Sequence, residues 1–501
     1  MKLLSFLAVA TVLLASRETD LSAQEHQHSA GSGEKLGTVH FPTSCNPGVA
    51  LQFDRAVALL HSFEFGESIR AFNSVLAGDS TCAMAHWGIA LSRWTNPMAA
   101  GNRPPELLQR GSQSAATARR LASNATERER DYVDAVSQLY DDYEHKNQTA
   151  RIAAYERAMA GVVARHPADT EAKIFHALSL VAAADPTDKT FANQLKAGGI
   201  LEALWEKQPN HPGLAHYIIH AYDYPPLAEK ARAAAARYAS IAPSAAHALH
   251  MPSHTFTRVG MWNESVDANA RSMKEAISTG SIAEALHAAD YEMYAYLQLG
   301  EFTEAKQILD LLPSLAARFD PNAITGAAPG LAGVYALAAI PARWALERGA
   351  WAEAAALEPK ASSYPYTEAM TYLARALGAS RIGDIPKAKA AADSLASIQQ
   401  RLASQGEAYW AEQTAIQTLE ARAWVSLAER RTDEALGLMR QAIAREDATE
   451  KSAVTPGPLA PAREQLGDML VELGRRDEAK TQYRATLEKE PNRRRSRLAA
   501  K

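Results

Sequence analysis

The chain has 501 residues, of which 47% are hydrophobic, and its formal net charge is −4. This near balance of charge leaves no extended basic surface for a nucleic-acid backbone, so we expect no nucleic-acid partner. The one basic cluster, Arg493 to Arg495, is predicted to lie in a solvated C-terminal tail. Alanine is abundant and β-branched residues are sparse, which favours helices over strands.

The N-terminal sequence MKLLSFLAVATVLLAS is typical of a secretory signal peptide, because Lys2 is followed by an apolar run and small residues. Cleavage is expected near Ala15 or after Ala23, which gives a signal peptide over residues 1–23. No other apolar run has the length of a membrane span. We therefore expect a soluble periplasmic or secreted protein with a polar, disordered leader over residues 24–38.

The chain contains two cysteines, Cys45 and Cys82. Outside the cytoplasm the compartment is oxidising, and two cysteines there can form one disulfide bond, which we predict. The alternative is a pair of unrelated buried thiols. Two isolated cysteines make a poor metal-binding motif, so we assign no metal to them.

A turn glycine followed five residues later by a small residue recurs along the chain. Such a glycine ends a helix in the left-handed conformation, and the small residue lets the second helix approach the first. An aromatic residue often follows the glycine by two positions, as Trp262, Phe302 and Trp351 do. The pattern predicts helical hairpins. The pairs are Gly260 and Ser265, Gly300 and Ala305, Gly349 and Ala354, Gly383 and Ala388, and Gly474 and Ala479.

The last unit, residues 465–491, reads QLGDMLVELGRRDEAKTQYRATLEKEP, and its Gly467, Ala479, Tyr483 and Pro491 have the spacing of the tetratricopeptide repeat. Through this unit the chain resembles the tetratricopeptide-repeat (TPR) superfamily. It is most similar to a widespread group of secreted bacterial repeat proteins, through VHFPTSC, LLHSFEF, CAMAHWGIALS, HPGLAHYIIHAYD, HALHMPSHTFTRVGMW and VTPGPLAPAREQLGD. The resemblance implies an all-α solenoid of helical hairpins whose concave groove binds ligands, and it implies no settled activity.

Turns, prolines and changes in composition suggest how the rest of the chain is organised. We predict the following segments after the leader: 39–200, N-terminal helical-hairpin repeats; 201–310, central TPR repeats with the histidine-rich motifs; 311–447, further TPR-like repeats; 448–461, a proline-rich loop; and 462–501, a C-terminal TPR repeat with the basic tail.

The histidines of the central repeats follow the repeat period. His216 and His250 are 34 residues apart, and so are His220 and His254. In addition, three helix positions that precede a turn glycine by 13, 10 and 6 residues are polar in two successive repeats. These steps of three and four residues place them on one face of each helix. They are His247, His250 and His254 before Gly260, and His287, Asp290 and Tyr294 before Gly300.

In the resembling repeat proteins this face lines the concave groove, so we expect three neighbouring helices to direct one polar cluster into it. Neutral imidazole is the commonest metal ligand, and two histidines four residues apart can hold one ion. Zn, Fe, Mn and Cu all accept such ligands. The predicted ligands are His216, His220, His247, His250, His254, His287 and Asp290, with Asp223 a further ligand or a partner of one.

Two features qualify the metal hypothesis. Pro252 is expected to bend or break the helix between His250 and His254. Histidines in repeat helices can also serve only as structural hydrogen-bonding groups.

The competing function is a non-catalytic scaffold that binds a peptide or protein in the groove. A metal site needs at least three of these side chains to converge on one point at about 2.0–2.2 Å, whereas a scaffold would spread them along the groove.

The sequence leaves enzymatic activity open, since it lacks the GxSxG, phosphate-loop and dinucleotide motifs. If a bound metal keeps an open position, hydrolytic or oxidative chemistry follows, and Asp223 or Tyr294 is then the expected proton-transfer group. Arg343 precedes its turn glycine by six residues, as His254 does, and is predicted to face the same hollow as a cofactor- or ligand-binding cation.

Overall fold

Residues 33–99 and 102–501 are described by the computed structural model, and they fold into α-helices joined mostly by short turns. No strand occurs within these residues, and no helix among them is long and apolar enough to cross a membrane. The predicted signal peptide and the first part of the predicted leader lie outside the described residues. Lys35 to Lys501 belong to one unit, with no division at the predicted segment boundaries.

The helices of the first half alternate with turns of a few residues, and proline at the first position begins α9 and α12. Their bounds are α1 Ala50–His61, α2 Phe65–Gly78, α3 Ala83–Trp94, α4 Pro105–Leu121, α5 Glu127–Gln138, α6 Gln148–Arg165, α7 Thr170–Ala182, α8 Ala192–Trp205, α9 Pro212–Ala221, α10 Arg232–Ile241, α11 Ala246–His250 and α12 Pro252–Arg258. Short 3₁₀ helices span Pro47–Val49, Ala122–Asn124 and Ala228–Ala231.

The second half continues the same arrangement, and neighbouring helices such as its first two pack side by side. Its helices are α13 Trp262–Ser278, α14 Ile282–Leu299, α15 Phe302–Ala316, α16 Gly330–Glu347, α17 Trp351–Ala356, α18 Pro365–Arg381, α19 Ile385–Ser404, α20 Ala408–Ala428, α21 Thr432–Ala448, α22 Ala462–Glu472, α23 Arg476–Lys489 and α24 Arg494–Ala499.

The turn pattern of the sequence is confirmed in the hairpins. All five predicted turn glycines have a positive φ angle, for example 71° at Gly260 and 84° at Gly300, where a side chain would be strained. All five small residues that follow them are buried, at most 1% exposed. Gly467 lies against the ring of Tyr483, where an added Cβ would come within 2.6 Å of Cε1. The all-α, TPR-type solenoid predicted from the sequence is therefore the observed fold.

The predicted disulfide bond is confirmed. Cys45, just before the first helices, is bonded to Cys82 at the beginning of α3, 37 residues later in the chain. The bond ties the N-terminal segment to the hairpin of α2 and α3. In the chain-entropy model, closing a loop of this length stabilises the fold by about 4 kcal/mol.

Both ends of the described chain pack more closely than the sequence suggested. Leu36 at the end of the predicted leader is buried, and the N–H of Lys35 donates to Ser244 Oγ at 2.8 Å. The prediction of a solvated basic tail is wrong for Arg493, which is 1% exposed and pairs with Glu464 and Glu347. Arg493 is buried because Glu347 and Glu464, on other helices, pair with it. The sequence does not show that these acids lie beside the tail.

Helix α14 buries an acid, Glu292, which is 3% exposed and whose Oε2 has no hydrogen-bond partner in the described part of the chain. Burial raises the pKa of Glu292 to about 7. The unfolded chain therefore loses this proton at lower pH than the folded chain, so stability falls as the pH rises from about 4.5 to about 7. Glu292→Gln should equal wild type at pH 4 and be more stable by up to about 3 kcal/mol at pH 8, measured by urea unfolding.

The matched control is Glu264→Gln, which changes an exposed acid on α13. Its stability relative to wild type should not depend on pH over the same range. A Glu292→Gln advantage that is equally large at pH 4 and pH 8 would show that the gain has a cause other than the titration of this carboxyl.

Candidate metal centre

Six of the predicted ligands come together in the structure. Helix α9 carries His216 and His220, α11 carries His247 and His250, α12 carries His254, and α14 carries His287. All six are buried, with no more than 5% of any side chain exposed. Their rings form a continuous row in which ring centroids lie 4.8 Å apart for His216 and His220, 5.9 Å for His247 and His250, and 4.5 Å for His250 and His287.

The row divides into two groups of three. The first triad is His216, His220 and His247, and the second triad is His250, His254 and His287. Within each triad, one ring nitrogen from each histidine lies within 4.8 Å of the other two. Three imidazole nitrogens at this spacing form a set of ligands that can bind and surround one transition-metal ion.

The helix break predicted at Pro252 is present and does not separate the second triad. Helix α11 ends at His250 and α12 begins at Pro252, with Met251 between them. Across this break, Nε2 of His250 lies 3.0 Å from Nε2 of His254. Two nitrogens bound to one ion in tetrahedral geometry, each at about 2.0–2.1 Å, lie about 3.3 Å apart, so the observed separation is close to that of a shared ion.

Hydrogen bonds define where the protons of His250 and His254 reside. Nδ1 of His250 lies 2.6 Å from Oδ1 of Asn269, whose own amide nitrogen donates to Ser265 O. That bond fixes the amide oxygen toward His250, so His250 donates through Nδ1. His254 likewise donates through Nδ1 to Oδ2 of Asp223 at 2.9 Å. In the neutral imidazoles, both Nε2 atoms therefore carry lone pairs that face each other.

Two facing lone pairs repel unless a cation lies between them, and that cation is a proton or a metal ion. Burial, with the nearby His254 charge, lowers the pKa of His250 to about 3. Burial also lowers the pKa of His254, although Asp223 opposes this shift. A proton is thus a poor occupant at neutral pH. Nδ1 of His287, the third histidine of this triad, has no hydrogen-bond partner within the described ranges.

The first triad has the same organisation. His216 donates through Nδ1 to the backbone oxygen of His61 at 2.7 Å, and His247 donates through Nδ1 to Oε1 of Glu284 at 3.0 Å. The Nε2 atoms of His216, His220 and His247 have no hydrogen-bond partner among the residues described. Burial, together with neighbouring histidines, holds the pKa of His216 and His220 well below the usual value. Metal-binding histidines commonly have their second nitrogen held in this way.

A further group of buried ligands, His61, Glu171 and His211, provides a contrast. The two oxygens of Glu171 accept hydrogen bonds from Nε2 of His61 at 2.9 Å and from Nε2 of His211 at 3.0 Å. Tyr217 OH lies 3.0 Å from the remaining nitrogen of His61, to which it donates. In the described residues, both nitrogens of His61 and Nε2 of His211 have hydrogen-bond partners, and only Nδ1 of His211 has none, so we assign no ion to this group.

Asp223 belongs to neither triad, and its carboxylate orients His254. Its other oxygen accepts a hydrogen bond from Arg258 Nε at 2.8 Å, and Lys451 Nζ lies 3.5 Å from Oδ2. Burial alone would raise the pKa of Asp223, but the charges of Lys451 and Arg258 hold it well below the usual value. A carboxylate held ionised in this way is a weak base, which does not favour the predicted role of Asp223 in proton transfer.

Asp290, Tyr294 and Arg343 also lie outside both triads and are engaged elsewhere. Arg343 Nε donates to Oδ1 of Asp290 at 2.8 Å, and both side chains are fully buried. Tyr294 OH accepts from Arg493 Nη1 at 2.9 Å and donates to Oε2 of Glu490 at 3.2 Å. The structure therefore pairs the predicted ligand Asp290 with the predicted cofactor-binding cation Arg343, and neither is directed to a metal.

The histidines do not line an open groove, so the prediction from the sequence that they do is wrong. The loop 448–461 enters the hollow, where Tyr291 OH donates to the backbone oxygens of Ala453 and Thr455, at 3.0 Å each. The Tyr291 ring stacks on His254 at 4.9 Å between centroids. On the other side, Phe63 lies against His216 at 4.4 Å. The sequence marked this loop by its prolines but not its position in space.

Several residues that support the centre were missed from the sequence. Glu284 and Tyr291 stand three residues before and four residues after His287, so the helical period could have placed them on the same face of α14. Asn269 on α13 and Lys451 in the loop carry no such signal, because their contacts join separate elements.

No family model matches the chain, and no curated protein matches it. Solved structures do match. Human IFIT1 in its dimer with m7Gppp-AAAA is 13% identical, covering 84% of this chain and 90% of its own, with a TM-score of 0.37. The Cut9–Hcn1 hetero-tetramer of the APC/C is 12% identical over 92% and 77%, with a TM-score of 0.37. Yeast Tom70 is 10% identical over 89% and 86%, with a TM-score of 0.33. The likeness is one of fold alone.

Proposed function

We propose that this helical-repeat protein binds a transition-metal ion through the second triad, His250, His254 and His287. The observation that carries the proposal is the 3.0 Å approach of two Nε2 atoms whose rings both donate through Nδ1. A cation between these two Nε2 atoms removes the repulsion between their lone pairs, because both lone pairs then bind the cation. Asn269 and Asp223 then serve as the outer partners that fix ring orientation, as is usual for histidine ligands.

Three imidazole ligands suit Zn, Fe, Mn or Cu, and they leave one coordination position for water, a small ligand or a substrate. Hydrolytic or oxidative chemistry is therefore part of the proposal only if a path through the covering loop reaches that position. We place the mature protein in the periplasm or outside the cell, because the N-terminal sequence has the pattern of a signal peptide.

Elemental analysis of the mature chain, purified from a periplasmic fraction without a histidine tag, tests the proposal. Wild type should contain at least one transition-metal ion per chain, and His250→Ala/His254→Ala should contain one ion fewer per chain than wild type. Two controls separate metal binding from folding: His145→Ala changes an exposed histidine, and His211→Asn changes a buried histidine of the hydrogen-bonded group. Both controls should retain the metal, and circular dichroism should show that every variant is folded.

Wild type that stays metal-free after incubation with Zn, Mn, Fe and Cu salts would contradict the proposal. It would favour the second candidate function, a scaffold that binds a peptide or protein without catalysis. One observation supports that candidate. Beside the loop 448–461 lies a cavity with aromatic walls, in which Tyr366 stacks on Trp410 at 3.9 Å and Tyr335 and Tyr409 lie alongside.

A further inference from the structure

We infer that the first triad, His216, His220 and His247, holds a second ion, so that the six histidines form a pair of three-histidine copper(I) sites. This inference rests on the proposed function, since it takes the second triad to be a metal site. Beyond the proposed function, it states how many ions the chain binds and which metal they are. An experiment can contradict either statement without contradicting the other.

The donors of the first triad support a second ion. Three Nε2 atoms are buried and without a hydrogen-bond partner in the described structure, which is costly for polar atoms unless something binds them. His61 O and Glu284 hold the Nδ1 atoms of His216 and His247, so these two Nε2 lone pairs are fixed in place. In the group around Glu171, by contrast, the carboxylate already accepts hydrogen bonds from Nε2 of His61 and Nε2 of His211, so these two atoms are not free to bind an ion.

The two triads are neighbours in one row. Ring centroids lie 5.9 Å apart for His247 and His250, and 6.1 Å apart for His220 and His254, so no other side chain separates these rings. Two ions bound in adjacent triads would share one dry compartment, covered by Phe63 on one side and by Tyr291 with the loop 448–461 on the other.

The charges around this compartment favour ions of low charge. All six ligands are imidazoles, which bring no negative charge, and neither triad includes a carboxylate. Asp223 is already paired with Arg258 and Lys451, which leaves Glu64 and Glu284 as the acids in contact with a ligand residue, His247.

Two divalent ions would bring four positive charges into this buried site against at most two carboxylates, those of Glu64 and Glu284, and burying uncompensated charge is strongly unfavourable. Two monovalent ions bring half that charge. Among metals that imidazole binds well, copper is the one with a stable monovalent state, and copper also binds nitrogen ligands most tightly in the divalent series. The donor number, the burial and the charge thus point together to copper(I).

Anaerobic titration of the tag-free chain with copper(I), in competition with a chromophoric copper(I) chelator, tests the inference. Wild type should take two copper ions per chain. His220→Asn, in the first triad, and His287→Asn, in the second, should each take one, and the combined variant should take none. The exposed-histidine control His145→Ala should take two, and thermal unfolding of the copper-free proteins should show that all variants fold.

The outcomes separate the two proposals. One copper per wild-type chain, lost in His287→Asn and kept in His220→Asn, would overturn the second ion while the proposed function stands. Failure to compete for copper(I) by a chain that binds zinc through the second triad would overturn the copper assignment alone. A chain that binds no metal of any kind would overturn both.

Discussion

Replacing Arg343 with methionine should lower the free energy of unfolding by about 3–5 kcal/mol, the usual cost of removing one partner of a buried ion pair. Arg343 is fully buried against Asp290, and its Nη2 also donates to Thr455 Oγ1 at 2.7 Å and to Gly457 O at 2.9 Å. Methionine fills similar space but makes none of these bonds. Urea unfolding of wild type and variant measures the loss.

A second variant distinguishes the ion pair from the loop contacts. Burial already raises the pKa of Asp290, so without Arg343 this acid takes up a proton, and the deficit should be smaller at pH 5 than at pH 8. Asp290→Asn/Arg343→Met should recover about 1–2 kcal/mol at pH 8. Arg422→Met changes an exposed arginine and should cost little. Equal stability of Arg343→Met and wild type would show that the pair is not structural.

Arg493→Met should also destabilise the protein by about 3–5 kcal/mol, because it leaves several acidic groups buried without their cation. Arg493 donates to both oxygens of Glu464 at 3.0 Å, to Glu347 Oε1 at 2.6 Å and to Tyr294 OH at 2.9 Å. Its own pKa is well above the usual value, since the charges of Glu347 and Glu464 outweigh the effect of burial.

Limited proteolysis gives the second measurement for Arg493→Met, because the cleavage rate of the last helices reports on local opening. The variant should be cut faster within α23 and α24 than wild type. Arg497→Met, on the exposed face of α24, is the matched control and should be cut at the wild-type rate. Unchanged proteolysis and unchanged unfolding in Arg493→Met would mean that the tail is held by its other contacts.

The parts of the structure that the sequence predicted are those encoded by neighbouring residues. Turn glycines such as Gly260 and small residues such as Ser265 act within one hairpin, so their spacing alone predicts it. The histidine row could also be predicted, because His216 and His250 take the same place in adjacent repeats. Helical period and repeat length together are enough to bring such side chains together.

What the sequence missed depends on contacts between distant segments. Arg343 and Gly457 are 114 residues apart, and Arg493 and Tyr294 are 199 residues apart. No sequence periodicity relates the loop 448–461 or the C-terminal tail to the helices that they cover. The sequence therefore predicts a solvated basic cluster and an open groove, and neither prediction could foresee these contacts. The prediction of Asp290 as a metal ligand has the same cause, a contact with a distant segment. Its position on the helix face is the expected one, but its partner comes from another repeat.

The covering loop has a consequence for the order of events during biogenesis. Thr455 follows Tyr291 by 164 residues, so the histidines leave the ribosome long before the segment that covers them. During this interval imidazoles on an unfinished array face solvent. Under the proposed function, an ion bound in this interval would be enclosed when the last repeats dock, and its later exchange would be limited by how often the loop 448–461, which Arg343 contacts, opens. If the proposed site binds an ion, its uptake would thus depend on timing during synthesis, and its retention on the rate at which the loop opens.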